Sequence, residues 1–195
     1  CGRNRERIAP LLRRHHASFA YLDLTDRVLT ARVLKKSGAS VVINCAEGDY
    51  NLDVQRICLK LGLNYLDLGS EPKMTAEQFK LHDAFERKHL CAITGCGSVP
   101  GIGNVMLRHA ADKLDTVDAV DTGFSWSANK RVFVVPFSIL SIIEEFTDKP
   151  TIMYHRRFKK VAAQSDAHLT SVRGIGRQRV FLVRHPELYT FYHYL

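Results

Sequence analysis

Apolar runs alternate with amphipathic stretches from the start of the chain to about residue 115. Phe19-Ala20-Tyr21-Leu22-Asp23-Leu24 reads as a strand. Residues 26–36 put Val28, Leu29, Val33 and Leu34 on one side of a helix. Arg32, Lys35 and Lys36 sit near its end, where cations suit the helix dipole, and Gly38 closes it. Ser40-Val41-Val42-Ile43-Asn44-Cys45 is a β-branched run of the kind found in buried parallel strands. A helix is predicted from about Asn51 to Leu61 with Gly62 as its stop, then a strand over Leu63 to Leu68. Thr75-Ala76-Glu77-Gln78 has the spacing of a capping box and predicts a helix to about Lys88. Leu90 to Thr94 is the next strand, and residues 102–114 the next helix. Strand and helix alternate with connections too long for hairpins, which predicts βαβ crossovers and a parallel sheet covered on both faces.

After about Asp115 the pattern changes. Thr116 to Phe124, Arg131 to Phe137 and Gln178 to Val183 read as strands with little helix between them, Ser138 to Phe146 excepted. Gly174-Ile175-Gly176 reads as a loop. We therefore expect a doubly wound α/β domain of Rossmann type over residues 1–115, followed by part of a second α/β domain over 116–195.

Composition changes this picture little. The 195 residues, 46% hydrophobic and 25% charged, are ordinary for a globular chain. No run approaches the length of a membrane span, and no apolar core follows the first residues as a signal peptide requires, so neither membrane nor export is expected. The net charge of +8 draws on Arg3, Arg5, Arg7, Arg13 and Arg14 and on Arg156, Arg157, Lys159 and Lys160. Three readings compete: a solvated basic face, a site for a phosphorylated cofactor, and nucleic acid. The last lacks a recognition motif and is not expected. Of the five cysteines, Cys45 and Cys91 lie in apolar runs that suit buried, reduced thiols in a cytoplasmic protein. His82 and His89 lack ligand partners at useful spacing, and no metal is expected.

Candidate chemistry gathers at the strand ends, because ligands of doubly wound sheets bind beyond the carboxyl ends of the strands. Cys1-Gly2-Arg3-Asn4 looks like the end of a second strand, followed by a helix over residues 5–14. Arg3 there sets a guanidinium beside a ribose 2′-phosphate, which favours NADP, although NAD stays possible. The alternative is an ordinary surface arginine. Asp23, with Leu24 beside it, is placed at the adenosine, or else in a plain turn. Asn44, Cys45 and Ala46 end one strand, and Asp67 ends another. Asp67 orients or deprotonates a substrate amine, or is a turn carboxylate. Gly95 to Gly103 follows a strand and precedes a helix. Its spacing is not G-x-G-x-x-G, and Pro100 removes a backbone donor. Gly97, Pro100 and Gly101 are accordingly read as a tight turn near the nicotinamide, or as a packing turn without ligand. Cys96 has no histidine near it in sequence, so covalent thiol catalysis is not expected. Phe124 and Trp126 line a substrate or fill a core.

Several segments together resemble the saccharopine dehydrogenase family: Val42 to Ala46, Tyr65 to Gly69, Leu81 to Phe85, Gly95 to Asn104, Arg108 to Asp112, Ser138 to Thr147, and His185-Pro186-Glu187-Leu188. The resemblance is nearest to the bacterial lysine ε-dehydrogenase and saccharopine-reductase-like members. It implies a Rossmann domain and a substrate domain that often mediates dimerisation. It also implies reversible hydride transfer between a nicotinamide and a carbon bearing the amine of an amino acid or amine. The first strand and its glycine fingerprint are missing from the pattern. The chain is therefore expected to begin after the phosphate loop, to bind NADP(H) poorly by itself, and to turn over nothing measurable. The rival expectation is a noncatalytic remnant that binds partners.

Overall fold

Local signals in the chain become helices at the places where a cap and a glycine bracket an apolar stripe. In the computed structural model, which describes residues 1–69, 72–124 and 139–194, helix α2 (Arg27–Ser37) starts where the Asp26 carboxylate accepts the Leu29 amide at 2.8 Å. It ends at Gly38 in the left-handed region, φ 66°. Helix α3 (Asn51–Leu61) ends the same way at Gly62, φ 73°. A left-handed residue carries the least steric cost at glycine, so both stops follow from the sequence. Helix α1 (Ala9–Arg14) follows a short tight turn at Glu6–Ile8, and Pro10 occupies its first turn, where no amide is needed.

The chain divides into two compact units, Cys1–Ser70 with Ala76–Cys96, and Glu71–Thr75 with Gly97–Leu195. The first unit holds a parallel sheet of β1 (Val41–Asn44), β2 (Asn64–Asp67) and β3 (Ala92–Ile93) in the order β1-β2-β3. The register sets Asn44 beside Asp67 at the carboxyl ends. Apart from this sheet, Gly2 and Tyr21 form a parallel bridge. The Gly2 amide donates to Ala20 O at 3.2 Å, and the Leu22 amide donates to Gly2 O at 3.1 Å. In the strand order 3-2-1-4-5-6 of dinucleotide folds, these two pieces correspond to the 3-2 pair and the 4-5-6 run. Helices α4 (Pro72–Phe79) and α5 (His82–Arg87) lie between β2 and β3 in the chain. Prolines apart, the buried hydrophobic side chains among the described residues lie in this unit, and Leu34, Val54, Cys58, Tyr65 and Phe85 form one cluster. Burial of each of the large ones contributes about 1.5–3 kcal/mol, so this cluster holds the strand ends in place.

The second unit contains α6 (Ile102–Ala111), α7 (Ile139–Thr147) and α8 (Glu187–Tyr194). It also contains two antiparallel hairpins, β4 (Thr151–Tyr154) with β5 (Arg157–Lys160), and β6 (His168–Val172) with β7 (Gly176–Val180). The first hairpin turns on two residues of positive φ, His155 at 48° and Arg156 at 63°, the geometry that matches strand twist. Arg184 clamps α7 by bonds to Glu144 (2.9 Å) and Asp148 (2.6 Å). His185 lies between Glu187 and Glu145. The fold class is the expected one: α/β, with a parallel sheet of Rossmann type.

Several expectations need correction. Phe19 to Leu24 is not a strand over its length; only Tyr21 pairs. The segment 75–88 is not one helix capped at Thr75. Thr75 lies inside α4, which ends at Phe79 before α5 begins at His82, and Gln78 donates to Asp67. Strand β1 is not buried on both faces, since Val41 is 43% and Ile43 63% exposed. Thr116 to Phe124 forms no strand. Hairpin β4–β5 and strand β6 are not among the predicted strands: β5 is a charge run, and β4 and β6 are too short to show an alternation. Cys45 and Cys91 are exposed, and the buried thiol is Cys58. Arg131 to Phe137, Ser138 and Trp126 lie outside the described residues.

Candidate cofactor site

The carboxyl ends of the parallel strands in the first unit are joined by a buried polar network centred on Asp67. Its side chain is fully buried. Oδ1 accepts the amides of Gly69 and Gly95, each at 2.8 Å. Oδ2 accepts the Tyr65 hydroxyl at 2.9 Å and Gln78 Nε2 at 2.7 Å. One carboxylate thus fixes the turn after β2, the turn after β3 and helix α4. The Cys96 amide adds a bond to Asp67 O at 2.7 Å. The charge of Asp67, after burial itself, pushes the Tyr65 hydroxyl far above its ordinary range, so that Tyr65 serves only as a hydrogen-bond donor.

Asn44, one strand over, donates to Asn51 Oδ1 at 2.7 Å, and its own Oδ1 accepts the Ala46 amide at 3.3 Å. Asn51 Nδ2 reaches Gly69 O at 3.2 Å. Asn44 is buried and therefore shapes the strand end from below, while Cys45 and Ala46 present an exposed rim. Asn51, Tyr65 and Gln78 were missed in the sequence. A signal was present for Asn51 and Gln55: they share the buried stripe of α3 with Val54 and Cys58, and polar residues on an apolar stripe require partners.

The Gly2–Tyr21 pair brings Arg3 and Asp23 together at a second edge. Arg3 makes no ion pair among the described residues. Asp23 is held well below the usual carboxylate range by the Thr25 hydroxyl (2.8 Å) and amide (3.0 Å), with Arg3 adding a smaller attraction. The backbone beside Arg3 is open: a Cβ on Gly2 would meet nothing within 4 Å. An exposed guanidinium with no ion pair among the described residues, beside a glycine that leaves open space, fits a phosphate. Asn4 Oδ1 caps the following turn by accepting the Arg7 amide at 3.2 Å. Leu24 packs against the core cluster.

Gly97, Pro100 and Gly101 belong to the second unit. Gly97 bridges to Gly101, whose φ of 127° only glycine adopts readily. The Gly101 amide donates to Asn104 Oδ1 at 3.0 Å, and Asn104 Nδ2 donates to Thr190 Oγ1 at 2.6 Å. Cys96 is exposed, and burial followed by the charge of Asp67 pushes its thiol up, the opposite of an activated nucleophile. His82, Asp83 and Glu86 do come within ligand reach of one another, contrary to expectation, but all three are exposed on the short helix α5. No helix among the described residues is long and apolar enough to cross a membrane.

Residues 1–93 match the saccharopine dehydrogenase NADP binding domain. A carboxyaminopropylagmatine dehydrogenase from Synechocystis sp. is 28% identical over 179 residues, covering 87% of this chain and 44% of the relative. An apo, histidine-tagged saccharopine dehydrogenase (L-Glu forming) from Saccharomyces cerevisiae shares the fold with a TM-score of 0.65 at 14% identity, over 98% of this chain and 45% of that one. The chain thus spans less than half the length of these relatives. Parallel strand ends, the edge formed by Arg3 and Asp23, and the family match agree: residues 1–93 resemble the saccharopine dehydrogenase NADP binding domain, a match that names NADP as the nucleotide.

Proposed function

We propose that this chain is the cofactor-binding part of an NADP-dependent oxidoreductase acting on the CH–NH group of an amino acid or amine. The observation that carries the reading is the set of parallel carboxyl ends held in register by Asp67, within a domain whose family binds NADP. When bound, NADP supplies the hydride chemistry; the chain supplies binding and orientation. Arg3, with Gly2 and Asn4, receives the 2′-phosphate and selects NADP over NAD. Asp23 and Leu24 border the adenosine. Asn44, Cys45 and Ala46 form the rim along which the dinucleotide runs. Of the two roles open to Asp67, we assign the turn carboxylate. Both its oxygens are filled by two donors each and the group is out of solvent, so it positions the rim and does not exchange protons with substrate. The segment 116–195 is proposed to belong to a substrate and dimerisation domain.

The test is an equilibrium titration of NADPH and NADH into wild type and Arg3→Ala, followed by the fluorescence of the reduced nicotinamide. A guanidinium–phosphate contact is worth about 1.5–3 kcal/mol, so Arg3→Ala weakens NADPH binding roughly ten- to a hundredfold and leaves NADH binding unchanged. Equal loss for both cofactors contradicts the assignment.

A further inference from the structure

The hairpin β4–β5 carries a charge pattern that hydride transfer does not use. Arg156, Arg157, Lys159 and Lys160 occupy four of five consecutive positions, and none has an ion-pair partner among the described residues. Every residue of β5 is exposed. Residues directly across a ribbon share a face, so the register groups Tyr154 with Arg157 and Ile152 with Lys159 on one face. The other face carries Lys160 and Phe158, whose half-exposed ring meets Tyr192 of α8 at 5.3 Å between centroids, so the helix lies against that face at Phe158. The first face stays open. Its cations repeat every second residue, about 6.6–6.8 Å apart, the scale of the step between successive phosphates of an extended single strand. Tyr154 stands among them, 60% exposed, its ring steadied by an edge contact with His155 at 4.2 Å.

We propose that this face binds single-stranded nucleic acid, the cations tracking phosphates and Tyr154 stacking on a base. A flat ribbon with one available ring suits unstacked bases better than a closed duplex. It also lacks the apolar wedge that would anchor it in a lipid surface. The site lies wholly in the second unit and stands whether or not the oxidoreductase reading does.

The test is fluorescence anisotropy of a short labelled oligouridylate with the full chain, across a salt series, with duplex DNA and phosphatidylserine vesicles as competitors. Neutralising two phosphates, at Arg157 and Lys159, gives a log–log salt slope of roughly −1.4, from about −0.7 for each. Arg157→Ala with Lys159→Ala removes most of that slope. Tyr154→Ala weakens binding roughly tenfold at every salt concentration without changing the slope. Arg13→Ala with Arg14→Ala, in the other basic cluster, changes neither. Circular dichroism checks that each variant is folded. The proposal is overturned by absence of binding at low salt, by a slope that follows Arg13 and Arg14 instead, by indifference to Tyr154, or by duplex or vesicles displacing the oligonucleotide at equal or lower concentration.

Discussion

Replacing Asp67 by Asn tests the strand-end network at its centre. The carboxylate takes four donors, two at each oxygen, at 2.7–2.9 Å. An amide of the same shape has one acceptor oxygen and one donor nitrogen. Whichever way it lies, two of the four donors face another donor. Hydrogen bonds to charged groups are worth about 1.5–3 kcal/mol each, so the loss is about 3–5 kcal/mol after partial relaxation, a large share of the roughly 5–15 kcal/mol that holds a domain together. An opposing effect exists: Asn removes a buried charge, whose desolvation is itself costly. Four short bonds to preset donors outweigh it in this account. The assay combines urea unfolding by circular dichroism with hydrogen exchange at the Gly69 and Gly95 amides. The first transition should move to lower urea, and at least one of these two pairs of donors should lose protection, so exchange at the glycines or mobility at Tyr65 and Gln78 rises. Tyr65→Phe removes a single donor and costs about 1–2 kcal/mol alone, but less in the Asp67→Asn background, because the two residues share one bond. Asp67→Asn within about 0.5 kcal/mol of wild type, with amide protection intact, would show that desolvation wins and the reasoning fails.

Further outcomes follow from burial. Cys58 is fully buried and its thiol is pushed from 9.0 to about 12 by desolvation. A group raised on folding contributes stability that is whole below its unfolded value and declines as pH climbs towards the folded one, so the loss runs from about pH 9 to pH 12 with a slope of up to about 1.4 kcal/mol per pH unit. Cys58→Ala should flatten that alkaline decline, and in the wild type Cys58 should resist iodoacetamide until denaturant is added, while the four exposed thiols react. Gln55 Oε1 is buried with no partner among the described residues, and its Nε2 reaches Gln78 O only at 3.5 Å. Gln55→Met should therefore be neutral or stabilising by up to about 1 kcal/mol in a thermal melt; a clear loss would mean that the amide is satisfied in solution.

Local rules were readable wherever the partner lay nearby in sequence. Asp26 and Gly38 bracket α2, Gly62 stops α3, and the β-branched run 41–44 pairs in parallel as its pattern implied. Long-range partners decide the rest. The spacing of Thr75 and Gln78 satisfied a capping box, but Thr75 lies inside α4, and Gln78 Nε2 donates to Asp67, eleven residues away. Asn51 serves Asn44 and Gly69 from the inner stripe of a helix, which its sequence neighbours cannot reveal. Strand β5 reads as a charge run, since its exposed positions lack the apolar alternation that marks a strand. Of the residues proposed for the cofactor, Arg3 and Asp23 were selected by position, and the bridge at Gly2 and Tyr21 brings them to one edge.

The central claim is that the strand ends of the first unit form the NADP crevice. Amide nuclear magnetic resonance spectra of the chain, recorded while NADP is added to high concentration, test it most directly and register even weak binding. The account expects progressive shifts at Arg3, Asn4 and Asp23 and along Asn44 to Ala46, with those at Arg3 and Asp23 diminished when NAD replaces NADP. Shifts confined to other surfaces, or identical for the two nucleotides, would contradict it.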